Sequence, residues 1–136
     1  MPFYKIEEME EKLLSSGTSW AKTVPGELMK AGIVTIPEGK GSEPHVHPNE
    51  EQFILILEGR RYMIVGDEER IIGPGDLIHI PRNTRHGART IDEKSVFFTV
   101  KSPCGDGDLN QDYNKSQDSA EVAHRLAEKL AQNKPG

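Results

Sequence analysis

The stretch Gly39 to Gly59, GKGSEPHVHPNEEQFILILEG, decides how the rest of the chain is read. Extended residues two apart point to the same face, so His45 and His47 present both imidazoles to one point. Two neutral imidazoles make half of a transition-metal site. The turn Pro48-Asn49-Glu50-Glu51 then reverses the chain into the run Gln52–Leu57 and sets Gln52 or Glu51 opposite the histidine pair. Alternation lets only one of these neighbours face inward. If it is Gln52, then Ile54 and Ile56 share its face, and Glu51, Phe53 and Leu55 point the other way.

Working outward, Gly75 and Pro81 frame a further strand and turn, and His86 opens the strand after it, where it can close the site from the far side. Short β-rich runs at Trp20–Val24, Leu28–Ile36, Gln52–Leu57, Arg61–Val65, Arg70–Ile72, Leu77–Ile80 and Val96–Val100 are separated by Gly, Pro, Asn and Asp. That pattern predicts an all-β sandwich or barrel. Phe53–Leu57 and Val96–Val100 are nearly continuous in apolar or β-branched residues, so both faces of those strands are expected to be covered by a second sheet, a helix or another subunit. Ile6, Met9 and Leu13 recur at helical spacing and predict a short amphipathic helix ended by Gly17. A C-terminal helix is predicted from Asp118 and Glu121, which resemble a capping box, with an apolar face of Ala123, Leu126, Ala127, Leu130 and Ala131. His124 falls among its polar positions.

A chain of 136 residues with 35% apolar content is sized for one domain, expected over 1–136, with a barrel core at about 19–103 and an arm and helix at about 104–134. The net charge of −5, without a basic stripe, argues against a nucleic-acid partner. No run is long and apolar enough to span a bilayer, the start lacks the pattern of a secretory signal, and a single cysteine, Cys104, excludes an internal disulfide. Cytoplasmic location, with no membrane partner, is the expectation.

These residues resemble the two motifs of the cupin superfamily. The first, Gly-x5-His-x-His-x3-4-Glu-x6-Gly, is matched by Gly39, His45, His47, Gln52 and Gly59. The second, Gly-x5-Pro-x-Gly-x2-His-x3-Asn, is matched by Gly75, Pro81 and His86, with Asn83 in place of Gly and Thr90 in place of Asn. The resemblance implies a double-stranded β-helix, or jelly-roll, barrel and a divalent transition metal such as Fe, Mn, Ni or Zn. Its ligands would be His45, His47, Gln52 and His86, the spacing to Gly59 selecting Gln52 over Glu51. Cupin barrels commonly dimerise, which implies a homodimer.

An amide in place of the carboxylate leaves the metal its full double charge, which favours anionic substrates and polarises bound oxygens. Among similar small cupins, those of pectin degradation convert unsaturated uronates to linear ketonized sugars. That likeness implies sugar-acid isomerase or ring-opening chemistry on a small oxygenated metabolite, or lyase chemistry with Tyr62 as base. The strand Val96–Val100 carries no carboxylate to shuttle a proton, and Lys101 and Asp106 are the nearest charged residues. An Fe(II) dioxygenase, with Phe97, Phe98 and Trp20 lining the pocket, and a non-catalytic small-ligand or sensor module are the alternatives. Arg60, Arg61 and Tyr62 follow Gly59 and face either pocket or solvent; Arg60, Tyr62 and Phe98 are the candidate substrate contacts. Arg82, Arg85 and Arg89 crowd around His86, either steering an anion or forming a solvated rim.

Overall fold

Side chains alternate between buried and less buried along residues 30–37, 51–58 and 94–102, and the inner face this makes meets a second sheet whose strands over 61–65 and 86–90 are buried on both faces. The structure, a computed structural model, describes residues 2–133. Its strands are β1 (Lys12–Leu13), β2 (Trp20–Pro25), β3 (Lys30–Pro37), β4 (His45–Val46), β5 (Glu51–Glu58), β6 (Arg61–Val65), β7 (Glu68–Ile72), β8 (Leu77–Ile80), β9 (His86–Thr90), β10 (Lys94–Ser102) and β11 (Asn114–Lys115), followed by helix α1 (Ser119–Asn133). One sheet has the order β1-β2-β3-β10-β5-β8 and the other β11-β4-β9-β6-β7. Neighbouring strands run antiparallel, as expected of a jelly roll.

The inner faces meet in a core of Val34 and Ile36 from β3, Ile54 and Ile56 from β5, Met63 from β6, Ile80 from β8, Ala88 from β9 and Phe97 from β10. Burial of each such side chain stabilises the fold by about 1.5–3 kcal/mol. On the opposite face of β6, Tyr62 and Ile64 join Ile91, Val122 and Leu126 in a second cluster that fastens α1 to the five-stranded sheet. Gly87 permits that approach, because a Cβ there would lie 3.2 Å from both Leu126 and Pro44.

Two expectations are corrected. The N-terminal helix is only a 3-10 turn at Ile6–Glu8, and the chain runs extended from Met9 into β1. Ile6 and Leu13 stay half exposed, and a helix this short, without a face to bury, is not stable by itself. The docking stripe of α1 is Val122, Leu126 and Leu130 rather than the alanine-rich face, with Ala127 and Ala131 exposed. The larger side chains fill the hollow of the sheet. The outer face of β5 is not covered by any described element: Phe53, Leu55 and Leu57 remain exposed there, with Phe98 beside them on β10. No helix among the described residues is long and apolar enough to cross a membrane.

Candidate metal centre

Pro44 and Pro48 confine β4 to two residues, and the register of β4 on β9 sets His45 directly opposite His86. His47, two residues on, points the same way. The turn before β9 is clasped onto this strand by the Asn83 N–H, which donates to the His47 carbonyl at 2.9 Å. Asn83 has φ of 58°, a left-handed conformation that asparagine tolerates better than other non-glycine residues, so it fills the motif's glycine position. Thr90, in place of the motif's asparagine, is fully buried and hydrogen-bonded to Ser95 at 2.8 Å.

The result is a buried cluster in which one ligand atom from each of His45, His47 and His86 lies within 4.8 Å of the others. Each ring is oriented through Nδ1 by a backbone carbonyl: His45 by Glu43 at 2.7 Å, His47 by Asp112 at 2.8 Å and His86 by Thr84 at 3.0 Å. A carbonyl can only accept, so Nδ1 carries the proton in all three and Nε2 presents its lone pair. Burial lowers the pKa of His45 to about 4 and of His47 to about 3, with Lys101 adding to both, and burial also drives His86 well below the usual value. All three are neutral at pH 7. The Nε2 atoms of His45 and His47 are 3.1 Å apart, two lone pairs with no proton between them. That separation suits two nitrogens bound to one ion at about 2.1 Å.

Gln52 belongs to the inner face of β5, beside Ile54 and Ile56. Thr99 sets its amide. The Thr99 hydroxyl donates to the Phe53 carbonyl at 3.0 Å, so it accepts from Gln52 Nε2 at 2.8 Å. The amide oxygen is left buried without a donor, in the cavity that His45 and His86 also line. Glu51 points outward to His79, at 2.6 Å on the surface. Three neutral imidazoles and an orphaned amide oxygen are a donor set able to hold a divalent metal.

The cavity has a volume of about 70 Å³ and carries no acidic side chain on its wall. Two cations line it. Lys101 is buried and donates to the Leu109 carbonyl, and burial lowers its pKa to about 8. Arg61 is buried, with its guanidinium 4.9 Å from the centroid of Phe97. The three candidate substrate contacts lie elsewhere. Tyr62 faces α1 and donates to Glu69 at 2.8 Å, Arg60 pairs with Asp92 at 2.9 Å on the surface, and Phe98 is on the outer face of its sheet. In each case the next residue along the strand, or the one before it, is the inward one: Arg61 beside Arg60 and Tyr62, Phe97 beside Phe98. Alternation puts Arg61 on the same face as Met63, but β6 is buried on both faces, so the pattern alone does not say which face is inward.

Arg85 pairs with Asp118, and Arg89 donates to the Ser42 and Ala88 carbonyls. Asp106, the other charged residue near the last strand, is exposed. Sequence reasoning also missed the loop before β11, which carries Asp112 and stacks Tyr113 on His45 with ring centroids 4.2 Å apart. It missed the buried pair of Lys30 and Glu50, 2.6 Å apart beneath His47, as well. Neither segment has a periodicity that would mark it. Cys104 is buried and unpaired.

Residues 32–100 match the family model described as the cupin domain, and the chain belongs to the cupin family. The pectin degradation protein KdgF of Dickeya dadantii is 24% identical over 106 residues, covering 70% of this chain and 94% of that protein. The dimethylsulfoniopropionate lyase DddQ of Ruegeria pomeroyi is 28% identical over 72 residues, 53% of this chain and 36% of that protein. The chain therefore spans about a third of the lyase's length. Among solved structures, the polyketide cyclase RemF from Streptomyces resistomycificus superposes with a TM-score of 0.73 over 96% of this chain and 97% of that one, at 19% identity, a likeness of fold.

Proposed function

We propose that the chain is a metal-dependent enzyme acting on a small, oxygenated, anionic metabolite, by isomerase, ring-opening or lyase chemistry. The divalent ion is held by Nε2 of His45, His47 and His86 and by the amide oxygen of Gln52. One observation carries this reading: three neutral imidazoles turn their lone pairs together at the edge of a cavity whose charged side chains are both cations. When bound, a divalent ion with an all-neutral ligand set supplies Lewis acidity toward an oxygen of the substrate.

The chain's own residues do the rest. Carbonyls of residues 43, 84 and 112 hold the imidazoles in the tautomer that binds, and Thr99 holds the amide. Lys101, whose backbone pairs with Gln52 across the β10–β5 ladder and which lines the same cavity, is the side chain to which we assign movement of a proton between substrate atoms. The likeness to a pectin-degradation protein and to a lyase supports proton-transfer chemistry of this kind.

The test is elemental analysis of the purified protein beside His47→Ala. The expected result is about one equivalent of nickel, zinc or manganese in the wild type and about a tenth or less in the variant, since a structural ligand has been removed. Iron with oxygen uptake would replace this reading by a dioxygenase, and no metal after reconstitution would leave a ligand-binding module.

A further inference from the structure

We propose that Arg61 receives the oxyanionic head group, a carboxylate or phosphate, of a small ligand that fills the barrel cavity between this guanidinium and the histidine cluster. The inference rests on the reading above only in calling that ligand the substrate.

Arg61 is 5% exposed, and its Nε is buried without an acceptor. Among the described residues it has no hydrogen bond and no ion pair. The contrast with its neighbours is sharp: Arg60 has Asp92, Arg85 has Asp118 and Arg125 has Glu69. A buried, unpaired guanidinium is strongly destabilising unless something compensates it. The Phe97 ring covers one face of the guanidinium through a cation–π contact, which orients the group and leaves its in-plane donors available. Those donors form the fork that carboxylates and phosphates accept in bidentate fashion. Burial, with Arg89 adding, lowers the pKa to about 10, so the group is charged at neutral pH.

The strand register places this receptor relative to the metal ligands. On β6 and β9, Arg61 pairs with Thr90 at one end and Val65 with His86 at the other. Between them, Met63 and the small Ala88 line the same cavity as Arg61 and His86. A cavity of about 70 Å³, roughly half the size of one that takes up benzene, has room for on the order of two or three waters or a comparably small ligand group. The ligand class is therefore a small organic acid or phosphate rather than an intact sugar chain.

Isothermal titration with propionate, inorganic phosphate and the neutral propionamide tests this, on wild type, Arg61→Lys and Arg61→Met, each in chelator-treated and metal-loaded form. Melting temperature and metal content are read alongside. Expected are binding of propionate or phosphate but not propionamide, a loss of about tenfold or more in Arg61→Met, and partial retention in Arg61→Lys. Metal content of Arg61→Met should equal the wild type's, and its melting temperature should rise, because an unpaired buried charge has become an apolar side chain. Which anion binds more tightly assigns the head group. Equal anion affinity in wild type and Arg61→Met, or a lowered melting temperature with anion affinity unchanged, would overturn the proposal. Loss of anion binding in Arg61→Met from a protein that takes up no metal would sustain the anion site while removing the metal reading.

Discussion

Thr99 has one hydroxyl proton and directs it to a backbone carbonyl, and this decides which end of the Gln52 amide faces the histidines. The prediction at this scale is that Gln52→Ala lowers bound metal by about tenfold, as loss of one ligand contact would, whereas Glu51→Ala leaves it unchanged. Metal content unchanged in Gln52→Ala but lost in Glu51→Ala would reverse the assignment. The choice of Gln52 over its neighbour followed from the resemblance to the cupin motif, whose spacing to Gly59 selects it; the period of two alone left both open. The orphaned oxygen was not legible in the sequence, because it depends on a hydroxyl 47 residues away. A second residue-scale prediction concerns Gly59, which has φ of 77° and where a Cβ would lie 2.0 Å from the Lys94 carbonyl oxygen. Gly59→Ala should destabilise the fold by roughly 2 kcal/mol or more, read as a lowered midpoint in urea.

Helix α1 is held to β6 and β7 by more than Val122 and Leu126. Glu69 of β7 accepts from Tyr62 at 2.8 Å and from Arg125 Nε at 2.7 Å. Arg125 first, then Tyr62, holds the Glu69 carboxyl at a pKa of about 2, against an ordinary value of 4.5. A depressed folded-state pKa means that this stabilisation is fully present above about pH 4.5 and is lost as the pH falls toward 2. Glu69→Gln should therefore lower the melting temperature by a few degrees at pH 7, with the difference from wild type shrinking to nothing near pH 2. Circular dichroism melts across that range check it, and a difference independent of pH would show that packing rather than charge holds the helix. Sequence pattern found the helix but chose its alanine-rich side, since apolar spacing cannot say which stripe meets a hollow in a sheet that is itself assembled from distant strands.

Across the whole molecule, the charge and the apolar surface are distributed in opposite senses: cations without carboxylates line the cavity, while Phe53, Leu55, Leu57 and Phe98 stand exposed on the outer face of the larger sheet. Adjacent exposed apolar side chains gain by being covered, and the prediction is that two copies pair through them. Sedimentation velocity should give a dimer at micromolar concentration and a monomer for Leu55→Glu; a monomeric wild type would count against it. The sequence by itself determined the fold class, which follows from periods of two and from turn residues at set spacings, local properties of the chain; its resemblance to the cupin motifs singled out His45, His47, His86 and the inward Gln52. Only the tertiary structure decided that Arg61 and Phe97, rather than Arg60, Tyr62 and Phe98, line the cavity, that the loop before β11 orients His47, and that nothing in the described chain covers the outer face of β5. Those outcomes depend on strand register and on contacts between residues far apart in sequence. A shift of one position exchanges the inward and outward sets, and no local pattern in Arg60-Arg61-Tyr62 or Phe97-Phe98 carries that information.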